Sequence, residues 1–147
     1  MTEPAGLTAT CHCGAVSITL AHAPSVVVEC NCSLCRRYGV LWVYYDVAEL
    51  GGLPEPGATD LYAWNGRHVD FHRCHSCGCV THWAPRAAGR QTRGINARLL
   101  PPAVVAAARL RHKDGAGSGK YLDSPAPRSG AFREDGDGRQ FSRAADA

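Results

Sequence analysis

The sequence predicts a mainly β domain of short antiparallel strands, with a single short helix near its C-terminal end. The first observation is a set of short apolar or alternating segments, such as residues 15–20, where Val16, Ile18 and Leu20 share one face of a half-buried strand. The second is the turn chemistry between these segments, including the Gly/Pro-rich loop 51–57. The third is that helical character is confined to the alanine-rich stretch 103–110.

The remaining elements follow from local composition. Residues 26–28 are a run of three valines, and residues 40–45 (VLWVYY) are typical of a buried strand. Asn65-Gly66 accepts positive φ at both positions, which predicts a turn joining two arms of a hairpin. Two prolines before Ala103 suit the first turn of the helix. The other predicted strands are residues 61–64, 68–72, 80–83 and 93–97.

Length and composition limit the class of protein. The chain has 147 residues, 45% of them apolar, which excludes a wholly disordered chain and is enough for one compact domain. No apolar run approaches the ~20 residues that cross a bilayer. The net charge of +3 is too small and too mixed in sign to indicate nucleic-acid binding. We therefore expect neither a membrane nor a nucleic-acid partner.

The composition changes at Gly115, after which Gly, Ser, Pro, Arg and Asp dominate. We therefore predict a folded domain over residues 1–114 and a mobile tail over residues 115–147. The first residues lack the basic and apolar regions of a secretory signal, so a cytoplasmic protein is expected. In a reducing compartment, clustered cysteines are more often metal ligands or catalytic groups than disulfides.

The eight cysteines fall into three clusters with the spacing of metal sites. These are residues 11–14 (CHCG), 30–35 (CNCSLC) and 74–79 (CHSCGC). Tight turns of this kind present sulfurs to a tetrahedral zinc ion, and the glycines Gly14 and Gly78 can take the positive φ that folds the backbone around them. Disulfides, inert buried thiols and an iron–sulfur cluster are the alternatives.

Ligand counting favours two different kinds of site. A structural zinc site has four protein ligands, whereas a catalytic site has three and an open position. The simplest partition joins the pairs Cys11/Cys13 and Cys74/Cys77 into a closed site, although sequence alone does not fix this pairing. The triplet Cys30, Cys32 and Cys35 then lacks an obvious fourth ligand. Such an open site favours carbon–sulfur bond formation or cleavage, because it can bind and ionise an incoming thiol. Cys79 is left over and is predicted to be a small buried residue, with an alternative ligand or a redox partner left open.

These motifs, together with residues 94–100 (GINARLL), resemble the glutathione-dependent formaldehyde-activating enzyme family, which includes centromere protein V. The resemblance covers residues 8–114. It implies a β-tent fold of stacked antiparallel sheets with two zinc sites. It also implies a structural zinc on Cys11, Cys13, Cys74 and Cys77, and a catalytic zinc on the triplet. The implied activity is condensation of formaldehyde with glutathione, a reaction of the carbon–sulfur lyase class. Cys79 departs from the family, which usually has a small hydroxyl residue there.

Three polar residues near these motifs are candidates for contacting a substrate. Arg36 follows the triplet directly and could clamp a carboxylate of a glutathione-like molecule, although simple surface charge is the alternative. Asn96 and Arg98 lie in the last family motif and are comparable candidates. The expected partner is a small thiol, glutathione or its adduct. A zinc-stapled interaction module without turnover is the alternative function.

Overall fold

The fold comes from a computed structural model of the chain, which describes residues 6–122. Within these residues the structure is mainly β, as predicted, with two short α-helices and three 3-10 turns at Val47–Glu49, Asn65–Arg67 and Ala97–Leu99. The helices are α1 (Ser33–Tyr38) and α2 (Pro102–Ala107). The strands in chain order are β1 (Leu7–Thr10), β2 (Ser17–Leu20), β3 (Val26–Cys30), β4 (Trp42–Asp46), β5 (Leu50–Gly51), β6 (Thr59–Tyr62), β7 (Val69–Cys74), β8 (Val80–Pro85), β9 (Thr92–Asn96), β10 (Arg109–Lys113) and β11 (Tyr121–Leu122).

The strands form two sheets. The smaller sheet has the order β1-β2-β5, and the larger has the order β11-β10-β3-β4-β9-β8-β7-β6. Neighbouring strands of both sheets are antiparallel apart from β10, which runs parallel to β3 with Arg109 beside Val26 and Lys113 beside Cys30. The prediction of stacked antiparallel sheets is confirmed, with this one parallel pair as an addition.

The helices differ from the prediction in two ways. Helix α1 was not predicted, because its short sequence reads as a cysteine turn; Cys32 begins it as the N-cap, its sulfur accepting a hydrogen bond from the N–H of Cys35. The predicted C-terminal helix exists but ends at Ala107, and Arg109 and Leu110 belong to β10. Pairing with β3 outweighs the helical preference of these two residues.

The hydrophobic core has two parts, one on each face of the large sheet. Ile18 and Leu20 of the small sheet pack against Val27, Val43 and Ile95 of the large sheet. On the opposite face, side chains of α1 and the large sheet form a second cluster that includes Val28, Cys35, Val40, Trp42 and Phe71. Val27 and Val28 lie in different clusters because successive strand residues point to opposite faces. The second cluster contains the cysteine triplet.

The folded region continues past the predicted boundary at residue 114. After β10, residues 114–120 form a loop, and β11 returns to pair with β10. The rest of the predicted tail, 123–147, lies outside the described residues, so its mobility stays a prediction. No helix among residues 6–122 is both long enough and apolar enough to span a membrane.

Candidate metal centres

Four cysteines from two turns come together at one end of the sheets. Cys11 and Cys13 lie in the β1–β2 turn, whereas Cys74 and Cys77 lie at the β7–β8 turn. The four sulfurs are within 4.8 Å of one another, and Cys13 Sγ is 3.7 Å from that of Cys11 and 3.6 Å from that of Cys74. Zn–S bonds of about 2.3 Å in a tetrahedron place sulfurs about 3.8 Å apart. The spacing therefore fits a zinc ion, and all eight cysteines are free of disulfides.

Backbone N–H groups surround this four-cysteine cluster. The N–H of Val16 donates to Cys11 Sγ at 3.3 Å. Backbone N–H groups of Cys79 and Cys13 lower the pKa of Cys77 to about 5, and those of Cys77 and Ser76 lower the pKa of Cys74. These donors favour the thiolate form, which is the form that binds a metal. Gly14 and Gly78 have φ of 82° and 74°, as predicted, so the turns can wrap around the sulfurs.

The second group of sulfurs is built from one short segment. Cys30 ends β3, Cys32 is the N-cap of α1 and Cys35 lies in its first turn. Their sulfurs also lie within 4.8 Å of one another. Cys32 and Cys35 are 8% and 6% exposed, whereas Cys30 is partly exposed. Among residues 6–122, no further Cys, His, Asp or Glu places a ligand atom in this group.

Hydrogen bonds orient the triplet and favour negative charge on it. The N–H of Cys35 donates to Cys32 Sγ at 3.3 Å, and the indole N–H of Trp42 donates to Cys35 Sγ at 3.2 Å. Hydrogen bonds from the thiols of Cys30 and Cys35 lower the pKa of Cys32 to about 3. Hydrogen bonds with Cys30 and Cys32 raise the pKa of Cys35. A divalent metal that prefers sulfur ligands, such as zinc, would allow all three sulfurs to ionise.

The loop after β10 packs against one side of the triplet. The Asn31 side chain holds this loop in place. Its Nδ2 donates to Asp114 Oδ1 at 2.9 Å, and its Oδ1 accepts from the N–H of Ala116 at 2.9 Å. Gly115 lies so close that a Cβ atom added there would overlap Cys30 Sγ and lie 3.2 Å from Cys32 Cβ. One side of the sulfur cluster is therefore closed by the backbone of this loop.

Comparison with known proteins agrees with the motifs. The sequence model of the family described as glutathione-dependent formaldehyde-activating enzyme matches residues 6–109. The chain belongs to this family. A crystal structure of a Rhodobacter sphaeroides protein is similar, with a TM-score of 0.57 and 28% sequence identity, covering 71% of this chain and 99% of that one. A search of curated proteins found no match. The predicted resemblance is thereby confirmed.

Two of the three residues predicted to contact a substrate, Asn96 and Arg98, hydrogen-bond the protein's backbone. The Asn96 amide donates to the carbonyl of Val80 at 2.8 Å and accepts from the N–H of Arg98 at 3.1 Å. Arg98 Nε donates to the carbonyl of Gly39 at 3.0 Å, just after α1. Arg36 lies exposed in the last turn of α1. Both Asn96 and Arg98 thus hold loops together, and a role for any of the three in substrate binding stays a prediction.

The sequence did not single out several residues of the triplet environment. The sequence places Trp42 in a buried strand, without a bond to a cysteine, whereas its indole N–H donates to Cys35 Sγ. No sequence motif indicates the roles of Asn31 and Gly115. Both roles depend on the contact between Asn31 and a loop 85 residues later, which the sequence analysis places in the tail. Cys79 lies outside both sulfur groups and packs, half-buried, against the core between the sheets.

Proposed function

We propose that the chain is a zinc-dependent enzyme of the carbon–sulfur lyase type that acts on a thiol adduct, resembling S-(hydroxymethyl)glutathione synthase. The observation that carries the proposal is the difference between the two sulfur groups. One offers four ligands, and the other offers three within the described residues. A closed tetrahedral set is typical of structural zinc, and a three-ligand set is typical of catalytic zinc. The family's description supports a formaldehyde and glutathione substrate pair.

The cysteines divide into two roles in this proposal. Cys11, Cys13, Cys74 and Cys77 hold a structural zinc, whereas Cys30, Cys32 and Cys35 hold a catalytic one. Zinc bound at the triplet supplies Lewis acidity, which stabilises thiolates and polarises carbonyl oxygens. The substrate thiol approaches the triplet from a side that no fourth ligand from residues 6–122 occupies. The cluster of free thiols also suits the reducing cytoplasm, which we propose as the location.

The reaction is an addition that needs no further reactant. The thiol gives up its proton, and its sulfur lone pair forms a carbon–sulfur bond to formaldehyde. The π electrons of the carbonyl move to oxygen, which takes up one proton to give the hydroxymethyl thioether. The reverse sequence breaks the carbon–sulfur bond and returns thiol and aldehyde.

The chain's own groups prepare the site for this addition. Burial of Cys32 and Cys35 excludes water from one side of the sulfurs, and the Gly115 backbone closes another. The N–H groups of Trp42 and Cys35 keep two sulfurs oriented. Fixed donors of this kind tune the basicity of metal ligands and keep the open side directed at the substrate.

Metal analysis combined with exchange NMR tests the proposal. Zinc-loaded protein is expected to hold one ion for each of the two sulfur groups and to accelerate exchange between formaldehyde and S-hydroxymethylglutathione. The Cys35→Ser variant is expected to lose this acceleration, whereas the matched Cys79→Ser variant should retain it. With cobalt in place of zinc, glutathione should change the visible absorption of the triplet site alone.

The opposite result would identify the alternative function. A single bound ion that glutathione leaves spectroscopically unchanged, together with no acceleration, would contradict the enzyme and favour the zinc-stapled interaction module.

A further inference from the structure

The face of the large sheet that carries Cys30 also carries a group of basic and aromatic side chains. In the parallel pair, Arg111 lies beside Val28 and Lys113 beside Cys30, and Lys113 pairs in turn with Tyr121. Paired residues of neighbouring strands point to the same face. Arg111 and Tyr121 are therefore on the triplet's side of the sheet. Both lie beyond residue 109, where the match to the family ends.

Arg111 is a positioned cation that has no acidic partner among residues 6–122. Its guanidinium carbon lies 3.9 Å from the centre of the Tyr121 ring, a cation–π contact that fixes its orientation. The side chain is half-buried and makes no ion pair with any of residues 6–122. By contrast, Arg86 lies 2.8 Å from the carboxylate of Asp70. A half-buried guanidinium of this kind is suited to bind a carboxylate in a bidentate manner.

An aromatic surface lies on the same face beside the triplet. Tyr44 follows Trp42 by two residues and is 39% exposed, and its ring centre is 5.9 Å from that of Trp83. The Trp83 indole lies directly over Gly94, where an added Cβ atom would overlap it. Tyr44 pairs with Gly94, which pairs in turn with Trp83, so both rings lie on the triplet's side of the sheet.

The separation between Arg111 and the triplet suits a small peptide thiol. The guanidinium lies over Tyr121, and Lys113 pairs with Tyr121 on one side and with Cys30 on the other, so these positions are two strand spacings, about 10 Å, apart. An extended tripeptide is at most about 10 Å long. A peptide thiol of this length therefore matches the gap between the sulfurs and the guanidinium.

We propose that Arg111, held over the Tyr121 ring, binds a carboxylate of the thiol substrate and makes the site selective for anionic thiols. This inference rests on the proposed function, because it places the substrate thiol at the triplet. It assigns the carboxylate to a side chain that has no acidic partner within the described residues, whereas Asn96 and Arg98 are engaged with backbone carbonyls.

Calorimetric binding of three probes tests the assignment. Glutathione carries thiol and carboxylates, S-methylglutathione carries the carboxylates without a free thiol, and 2-mercaptoethanol carries the thiol alone. In zinc-loaded protein, Arg111→Gln is expected to raise the Kd of glutathione and S-methylglutathione roughly tenfold or more, because a charge-assisted hydrogen bond is lost. The Kd of 2-mercaptoethanol should not change. Arg111→Lys, which keeps the charge without the planar fork, should give an intermediate Kd for glutathione.

The matched control is Arg109→Gln, which removes an exposed arginine from the same strand and the same face. It should leave all three Kd values unchanged. Equal weakening by the two arginine variants, or equal weakening of glutathione and 2-mercaptoethanol by Arg111→Gln, would overturn the assignment. A different result would separate the two proposals. If S-methylglutathione binds in an Arg111-dependent manner, but glutathione binds no more tightly than S-methylglutathione and 2-mercaptoethanol does not bind, the free thiol contributes nothing. The proposed function then fails while the carboxylate site stands.

Discussion

The two sulfur clusters use the same ligand chemistry but connect very different parts of the chain. The four-cysteine cluster joins two turns 61 residues apart, between Cys13 and Cys74, and so fastens the small sheet to the large one. The triplet comes from six consecutive residues, positioned by the end of one strand and the N-cap of one helix. A metal bound at the first cluster would therefore be coupled to tertiary folding, whereas one bound at the second would be coupled mainly to local structure.

The largest expected effect comes from removing one sulfur from each cluster. Structural zinc contributes about 10–16 kcal/mol of binding free energy in small zinc domains. Cys77→Ser should therefore lower the free energy of unfolding by several kcal/mol and reduce the melting temperature sharply. Cys35→Ser should leave most of the thermal stability in place and abolish chemistry on thiol adducts. Calorimetric melting curves of the two zinc-loaded variants provide the measurement.

Cys79→Ser serves as the control for this pair, because Cys79 is not one of the four ligands and serine keeps a side chain that can hydrogen-bond Cys77 as the Cys79 thiol does. Its melting temperature should remain close to that of the wild type. An equal loss of stability in Cys77→Ser and Cys35→Ser would mean that the triplet is structural as well, and the contrast between the clusters would disappear.

The sequence predicts the division of the sulfurs better than it predicts their surroundings. Spacing and ligand counting group the cysteines as the structure does, because each cluster is encoded in short turns. Helix α1 was missed because its N-cap is a cysteine, which also belongs to a metal motif. The loop at Gly115 and the β10 strand were missed because they depend on pairing with β3, more than 80 residues earlier. Long-range pairing of this kind leaves no local pattern of hydrophobicity or turn residues.

A smaller effect is expected from removing the hydrogen bond that the Trp42 indole donates to the triplet. Trp42 is 1% exposed and its N–H donates to Cys35 Sγ. Trp42→Phe removes the donor and keeps an aromatic ring in the core. Groups that support metal ligands typically contribute 10- to 100-fold in affinity, so zinc affinity at the triplet should fall by roughly that factor. Competition with a chromophoric chelator measures it.

The four-cysteine cluster is the internal control for Trp42→Phe. Its zinc should be released at the wild-type affinity, since this indole makes no contact there. A parallel loss of affinity at both clusters would indicate general loosening of the fold and would contradict a specific role for the indole.

The smallest expected effects separate two uses of glycine. Gly78, at the four-cysteine cluster, has φ of 74° and nothing within 4 Å of an added Cβ, so Gly78→Ala meets only backbone strain. This strain costs about 1–2 kcal/mol of stability. Gly115 has no such φ, and Gly115→Ala instead crowds Cys30 Sγ. Gly115→Ala should therefore weaken metal binding at the triplet while barely changing the melting temperature. Gly78→Ala should instead lower the melting temperature and leave metal binding at the triplet unchanged. Chelator competition and thermal unfolding of both variants decide this, and a shared pattern would show that the loop at Gly115 yields without disturbing the sulfurs.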